Sequence, residues 1–402
     1  MGKCIKTNGT WIGGIILASF TILAQYELPL MSYGLVAMIL YCVGTFVFNG
    51  GYAYVNKPMC WFIIFCMVEQ LLLYWITGTF SLNRNTYFFM VICFFILVFA
   101  CSIELNSFIK IYYWIGIVCC CLVIYQFFMG NILGIPQNAI QLLPVSPENQ
   151  HYWLKNSARV SGVFTEPQGF CSYILPLLVY LVFQRKVLSA LFVSITIFLS
   201  SSSQGIILAV IIWSYYLIVY EKKIVKRFLQ IFLFAGLGGI GVLILSRSGT
   251  FSYIIEKIMS INIFAYDIRL TKGFQIYAQM PILDKITGIG FGNLRTYLNN
   301  GQFHFFWMNL TRPELFDYIT TMSNVLVSYG LVGAFFYLRI FAKNFATSNS
   351  MAKVMLLLIF ISSFTQTILF NSWFVYYWLV YEVYDDLSND NYYCIKFNLG
   401  RI

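Results

Sequence analysis

Arg159-Val160-Ser161-Gly162-Val163-Phe164-Thr165-Glu166-Pro167 is a polar string set between two hydrophobic segments. It brings together an arginine, a glycine, a carboxylate and a helix-starting proline in a chain that otherwise reads as membrane. Such a string sits badly in lipid, where no water meets the needs of backbone or charge. Thr165 and Gln168 fit a capping box with Pro167 in the first turn, so a span is expected to begin here. The N-terminal end of that helix favours phosphate. Arg159 is placed to add a bidentate contact to a pyrophosphate, and Gly162 to let the backbone turn closely. Glu166 serves either as a general base or only as an acid that the helix dipole favours.

Outward from this string, the chain has 402 residues, is 60% hydrophobic and only 10% charged, with a mean hydropathy of +0.76. A soluble domain of this size carries roughly a quarter charged residues. The expected fold is therefore an all-α, polytopic integral membrane protein, since spans of about 20 apolar residues must be helical. Twelve segments fit: 10–26, 28–48, 58–78, 86–102, 108–129, 168–184, 187–202, 204–220, 228–245, 320–341, 353–370 and 371–386. The last of them, with Ser372-Trp373-Phe374-Val375-Tyr376-Tyr377-Trp378-Leu379-Val380-Tyr381, has an interfacial aromatic character. The eleven cysteines fall almost wholly in apolar runs, with no CxxC pair and no zinc spacing, so neither a disulfide framework nor a metal is expected.

With the N-terminus in the cytoplasm, fifteen of the twenty-five Lys and Arg residues lie on inner segments, among them Lys57, Lys343, Lys353 and Lys396. Long loops are largely exempt from that bias, and two long outer segments, 130–167 and 246–319, separate the regions 1–129, 168–245 and 320–402. The net charge of +10 is mostly an inner-side feature, and the small outer excess suits an anionic ligand. No basic stripe or recognised module supports nucleic-acid binding.

The second outer loop holds Arg247, Arg269, Lys272, Arg295 and the lone loop histidine His304. Arg269 and Lys272 share a face if their segment is helical, either to neutralise a diphosphate or to rest on lipid headgroups. His304 is either a proton acceptor near neutral pH or an ordinary surface residue. Gly288-Ile289-Gly290-Phe291-Gly292-Asn293 is no dinucleotide motif, because position 293 is Asn and no βαβ unit surrounds it; a tight turn is expected. Ser200 to Gly205 reads as a turn with Gln204 facing a cavity. Inside the spans, Glu69 and Glu382 are intramembrane acids, serving either a proton pathway or a helix–helix hydrogen bond.

In order, these pieces resemble the bacterial O-antigen polymerase (Wzy-type) family, within the superfamily shared with O-antigen ligases. The resemblance rests on Arg159-x-x-Gly162-x-Phe164-x-Glu166-Pro167 and Ser203-Gln204-Gly205. It continues with Arg269, Gly288 to Asn293, and Asn324-x-Leu326-x-x-x-Gly330-Leu331-x-Gly333. It implies a GT-C-like membrane glycosyltransferase of the bacterial inner membrane, with its active site facing the periplasm or cell exterior. The implied substrates are undecaprenyl-pyrophosphate-linked oligosaccharides, with membrane lipids and a chain-length regulator as partners. No cofactor and no metal is implied. Arg159 and Arg269 are the implied catalytic arginines, and Glu166, His304 or no residue at all is the base. Arg247, Lys272, Arg295, His304, Gln204 and Asn324 are candidate substrate contacts, and loop aromatics are expected to stack on sugars. Ligases carry a histidine before the asparagine of the last motif; Ser323 stands there. A transporter of lipid-linked oligosaccharide is the rival reading, and it would show discontinuous helices and midplane charges.

Overall fold

The computed structural model describes residues 11–28, 31–48, 52–77, 84–100, 103–135, 137–145, 149–154, 160–220, 236, 268–301, 303, 305–309, 316–385 and 391–396. In chain order the helices and strands are α1 (Trp11–Leu23), α2 (Tyr33–Phe48), β1 (Tyr52–Asn56), α3 (Lys57–Thr77), α4 (Arg84–Phe99), α5 (Leu105–Phe127), α6 (Gln150–Trp153), α7 (Pro167–Phe183), α8 (Val187–Leu199) and α9 (Ser203–Tyr215). Then come α10 (Ile268–Gln279), α11 (Ile282–Thr287), α12 (Leu294–Asn300), α13 (Thr321–Thr347), α14 (Ser350–Thr365), α15 (Ser372–Tyr384) and β2 (Tyr392–Lys396). Eleven of the twelve expected spans coincide with α1–α5, α7–α9 and α13–α15; the ninth, 228–245, lies outside the described residues apart from Gly236.

The chain is predominantly helical, and four helical stretches are long and apolar enough to cross a membrane: Lys57–Ile76, Leu105–Ile132, Ser203–Tyr220 and Thr321–Thr347. Six shorter helices are apolar too. Large apolar side chains stand bare on these helices, Trp75 at 86% and Leu188 at 85% exposure. In a water-soluble molecule, contiguous apolar surface of this kind is a liability; against hydrocarbon it costs nothing.

The contacts divide the chain into two compact units, one from Ile39–Ser102 and Asn262–Ile402, the other from Asn8–Met38 and Ile103–Ile261. In the second of these, α7 is the buried centre, with Phe170 to Val179 almost entirely shielded. Gly116 of α5 and Gly205 of α9 allow the approach to α7, since a Cβ on either would meet Leu177 or Cys171 below 3 Å. The Tyr173 hydroxyl donates to Ala18 O at 2.8 Å and ties α7 to α1.

Among its described residues, the other unit departs from an all-helical architecture at a two-stranded ribbon. β1 and β2 pair antiparallel, Tyr52 opposite Lys396 and Asn56 opposite Tyr392. A two-stranded ribbon is marginal alone. Here Ala53 and Val55 pack against Val98 with Phe94 and Phe99, and the Asn56 side chain bonds that of Asn344 at 3.1 Å. The ribbon therefore sets Lys57, Lys396 and the C-terminal end of α13 on one side of this unit, where the charge pattern also groups Lys57, Lys343 and Lys396. α13 and α14 form a hairpin through Ser348 and Asn349, the latter capping α14 by accepting from Ala352 N at 3.0 Å. Phe374 to Tyr384 of α15 are all buried, so the aromatic set expected at the interface packs inside the unit instead.

Candidate functional site

In the α7-centred unit, residues 160–164 of the polar string form a buried loop held by two glutamines. Val160 to Phe164 are buried. The Gln126 Oε1 of α5 accepts from Ser161 N at 3.2 Å and Gly162 N at 2.7 Å. Its Nε2 donates to Gly162 O at 3.2 Å and Asn138 O at 2.8 Å. Gln25 repeats the arrangement one step on: Oε1 accepts from Thr165 N at 2.9 Å and Nε2 donates to Val163 O at 3.3 Å. Each side-chain amide copies a peptide group, so it satisfies a neighbouring strand's donor and acceptor together. Gly162 has φ +66°, and a Cβ there would press Val123 and Cys119 O, which is the close turn expected of it.

The capping box is not formed. Glu166 is the N-cap of α7, exposed and with no side-chain capping bond, and Pro167 begins the helix. Gln168 instead donates through Nε2 to Gln204 Oε1 at 2.8 Å, because α9 starts beside α7 and offers an acceptor. Ser202 caps α9, accepting from Gly205 N at 3.4 Å, after a turn with Ser201 at φ +56°. Gln204 Nε2 is buried without a partner. A buried unmet donor is costly, and one lying between two helix N-termini is disposed to receive an acceptor oxygen.

In the other unit, α10 to α12 and the described residues between 301 and 319 fold into a cap around Ile276, Met280, Leu294, Leu298, Trp307 and Phe316. The segment from Ile268 is helical, as required for Arg269 and Lys272 to share a face. Of Arg269 the structure describes only the backbone. Lys272 is 2% exposed, its Nζ 4.7 Å from the Trp307 ring centroid and 5.5 Å from that of Phe316. Burial lowers its pKa to about 8, with Asp317 acting in the opposite sense. Burial raises the Asp317 carboxyl, against the charge and backbone N–H of Arg295 at the start of α12. Phe303, Phe305 and Trp307 stack on one another, with Phe305 and Trp307 buried in the cap.

The glycine-rich segment is the tight turn expected, and it docks into a break in α13. Gly288, Gly290 and Gly292 have φ of 81°, 79° and 81°. α13 is interrupted at Gly330, φ 61° and ψ −161°. The carbonyls freed there are taken up from outside: Ile289 N donates to Val327 O at 3.1 Å and Gly290 N to Ser328 O at 2.9 Å. A Cβ on Gly288 would overlap Ser328 O, and one on Gly330 would overlap Ile286 O. Gln70 of α3 clamps the far side, its Oε1 accepting from Phe291 N at 2.7 Å and its Nε2 donating to Phe291 O at 3.2 Å. Asn324 accepts from the Ser328 hydroxyl at 2.7 Å, and Gly273 of α10 lies directly on Ser323.

Beside this junction, Glu69 of α3 is 9% exposed and both carboxyl oxygens are buried with no hydrogen-bond partner. The helix–helix hydrogen bond considered for it is therefore not made. Glu382 is 5% exposed within α15. Arg159, Arg247 and His304 lie outside the described residues. Glu166 and Gln204 fall within one unit; Lys272, Arg295, Asn324 and the backbone of Arg269 belong to the other. Gln25, Gln70 and Gln126 were not singled out from the sequence; their signal is an amide side chain inside or at the end of an apolar helix. Among the described residues no group of three His, Cys, Asp or Glu is placed to hold a metal ion. Compared with protein-family models, with curated proteins and with solved structures, the chain matches none.

Proposed function

We propose that this chain is a GT-C-like membrane glycosyltransferase of about twelve spans, a surface-polysaccharide polymerase of the O-antigen type in a bacterial inner membrane. It transfers a growing glycan from undecaprenyl pyrophosphate to the next lipid-linked repeat unit at the outer face. The observation that carries this reading is that the motif pieces, each weak alone, pair in space within each unit. The string ending at Pro167 continues into Gln168, which bonds Gln204 of the Ser203-Gln204-Gly205 motif. Gly288 to Asn293 docks into the Asn324–Gly333 helix at its break, and α10, which carries Arg269, rests on Ser323.

In this reading a hydroxyl of the acceptor sugar attacks the anomeric carbon. The bond to the pyrophosphate oxygen breaks, and the lipid pyrophosphate leaves with the bonding pair. Arg159 and Arg269 stabilise the charge that builds on it, an electrostatic contribution that can exceed acid–base help. Glu166 accepts the hydroxyl proton; it is exposed and takes no part in capping. Gln204 offers its free N–H to an oxygen of the substrate, and Asn324, in the first turn of α13, is a further substrate contact.

The second reading, a transporter of the same lipid, is favoured by the interruption of α13 at Gly330 and the unpartnered Glu69 beside it. One reconstitution separates the two. Purified protein in vesicles receives a synthetic undecaprenyl-pyrophosphate repeat unit, without nucleotide sugar or added metal. A ladder of products that Arg159→Ala and Arg269→Ala abolish, with both variants still inserted, is expected. Normal chain lengths in both variants overturn the pyrophosphate role. No ladder, together with transbilayer movement of the lipid that Glu69→Gln abolishes, establishes the transporter.

A further inference from the structure

We propose that the α13–α14 hairpin carries a site for an anionic phospholipid of the membrane leaflet on the side of the β1–β2 ribbon. The site is an open groove of about 340 Å³, lined by Phe341, Ala342, Phe345 and Ala346 of α13 and by Leu356, Leu357 and Phe360 of α14. All seven side chains are apolar. Ala342 and Ala346, one turn apart and exposed, contribute only methyl groups to the lining, beside the rings of Phe341, Phe345 and Phe360. Phe360 lies eleven residues beyond Asn349, roughly 16 Å along the axis at the rise of a helix. The groove thus runs from the hairpin turn well into the depth of an acyl chain, and a hydrocarbon tail matches its lining and its length.

Charge identifies the headgroup. Arg339 and Lys343 are exposed on α13, and Lys353 of α14 places its Nζ 5.5 Å from the ring centroid of the groove residue Phe345. Lys57 joins them on this side through the ribbon, 4.0 Å over the Tyr393 ring. The acids described at this end are both buried: Glu382 and Asp385 are each 5% exposed. The Asp385 carboxylate accepts from Ser348 Oγ at 3.0 Å and Asn349 N at 3.3 Å. Lys353 is thus the cation set against a groove residue, and Arg339 and Lys343 are exposed on the α13 stretch that carries the groove. Long cationic stems lie along apolar surface and hold their heads at headgroup level, and clustered bases there draw anionic lipid. A neutral lipid would fill the groove without using these charges, and a second protein copy would have to meet them with acids.

The test is native mass spectrometry of the detergent-purified chain titrated with phosphatidylglycerol and, separately, phosphatidylcholine. The expected result is at least tenfold tighter binding of phosphatidylglycerol. The double variant Lys343→Gln, Lys353→Gln removes charge and keeps the stems, and should bring the two lipids within twofold of each other. Ala346→Phe fills the groove from an exposed position and should weaken both lipids at least tenfold, with the monomer's unfolding temperature in detergent unchanged. Equal affinity for the two lipids in the wild-type chain overturns the proposal. So does a preference that survives both variants, and so does a dimer that forms through the groove and excludes lipid.

Discussion

Replacing Gly330 by alanine tests the junction at the centre of the cap-bearing unit. At φ 61° and ψ −161° the residue occupies backbone space that is essentially glycine's alone, and a side chain there costs about 1–3 kcal/mol. The new Cβ would also overlap Ile286 O and stand 2.8 Å from Gly288 N. Relief requires the glycine turn to retreat, which breaks Ile289 N to Val327 O and Gly290 N to Ser328 O, each contributing about 1 kcal/mol. Alanine's better helix propensity, about 1 kcal/mol, rewards a straightened α13 and offsets part of the loss. The net destabilisation is about 2–4 kcal/mol, high for one methyl group. Unfolding in mixed micelles titrated with a denaturing detergent measures it. Val332→Ala, two residues on and 39% exposed, should cost under about 1 kcal/mol and serves as control. Gly288→Ala attacks the same contact from the other side, so the double variant should lose less than the two single losses combined. A Gly330→Ala chain as stable as the Val332→Ala control would refute the reasoning, because α13 would then be indifferent to its break.

Gln126→Leu strands the N–H groups of Ser161 and Gly162 in an apolar setting, and should destabilise the α7-centred unit by about 2–4 kcal/mol; Gln126→Glu, which keeps the acceptor, should cost less in the same unfolding assay. Lys272 titrates near 8 in the folded cap against 10.5 for an ordinary lysine. Between those values the unfolded chain binds more protons, so stability rises with pH across that window and is flat below it. Lys272→Met should remove the slope, and a slope unchanged in the variant would assign it to another group. The β1–β2 pairing requires an even number of membrane crossings between its strands. Cysteines introduced at Gly51 and at Asn391 should therefore react with an impermeant thiol reagent from the same side, and labelling from opposite sides would disprove the topology.

The helical segments were legible because apolar runs near 20 residues have few other solutions. Their ends were less so: α13 extends to Thr347, beyond the apolar run, since helix geometry persists into the polar interface. The turn at Gly288 to Gly292 announced itself through three alternating glycines, each now at positive φ. The break at Gly330 did not, because glycine is common in membrane helices that stay straight; only its partner 40 residues earlier makes it a break. The glutamine clamps were hidden for a similar reason. Gln25, Gln70 and Gln126 read locally as single polar residues in apolar helices, and their meaning lies in backbones far away in sequence. The Thr165–Gln168 pattern misled because a capping box is a local rule, and Gln168 had a better acceptor in Gln204. The candidate site was legible as motifs in order, but not as a partition of those motifs into two units.

The ribbon also bears on how the molecule is made. Tyr52–Asn56 leaves the ribosome before α3, and its partner Tyr392–Lys396 is synthesised after every described helix. At about 5–20 residues per second the first strand waits on the order of tens of seconds with an open edge. An open edge is a template for any passing chain, and this one runs directly into Lys57 at the start of α3. A chain that stops before Tyr392 lacks the partner strand and keeps that edge open.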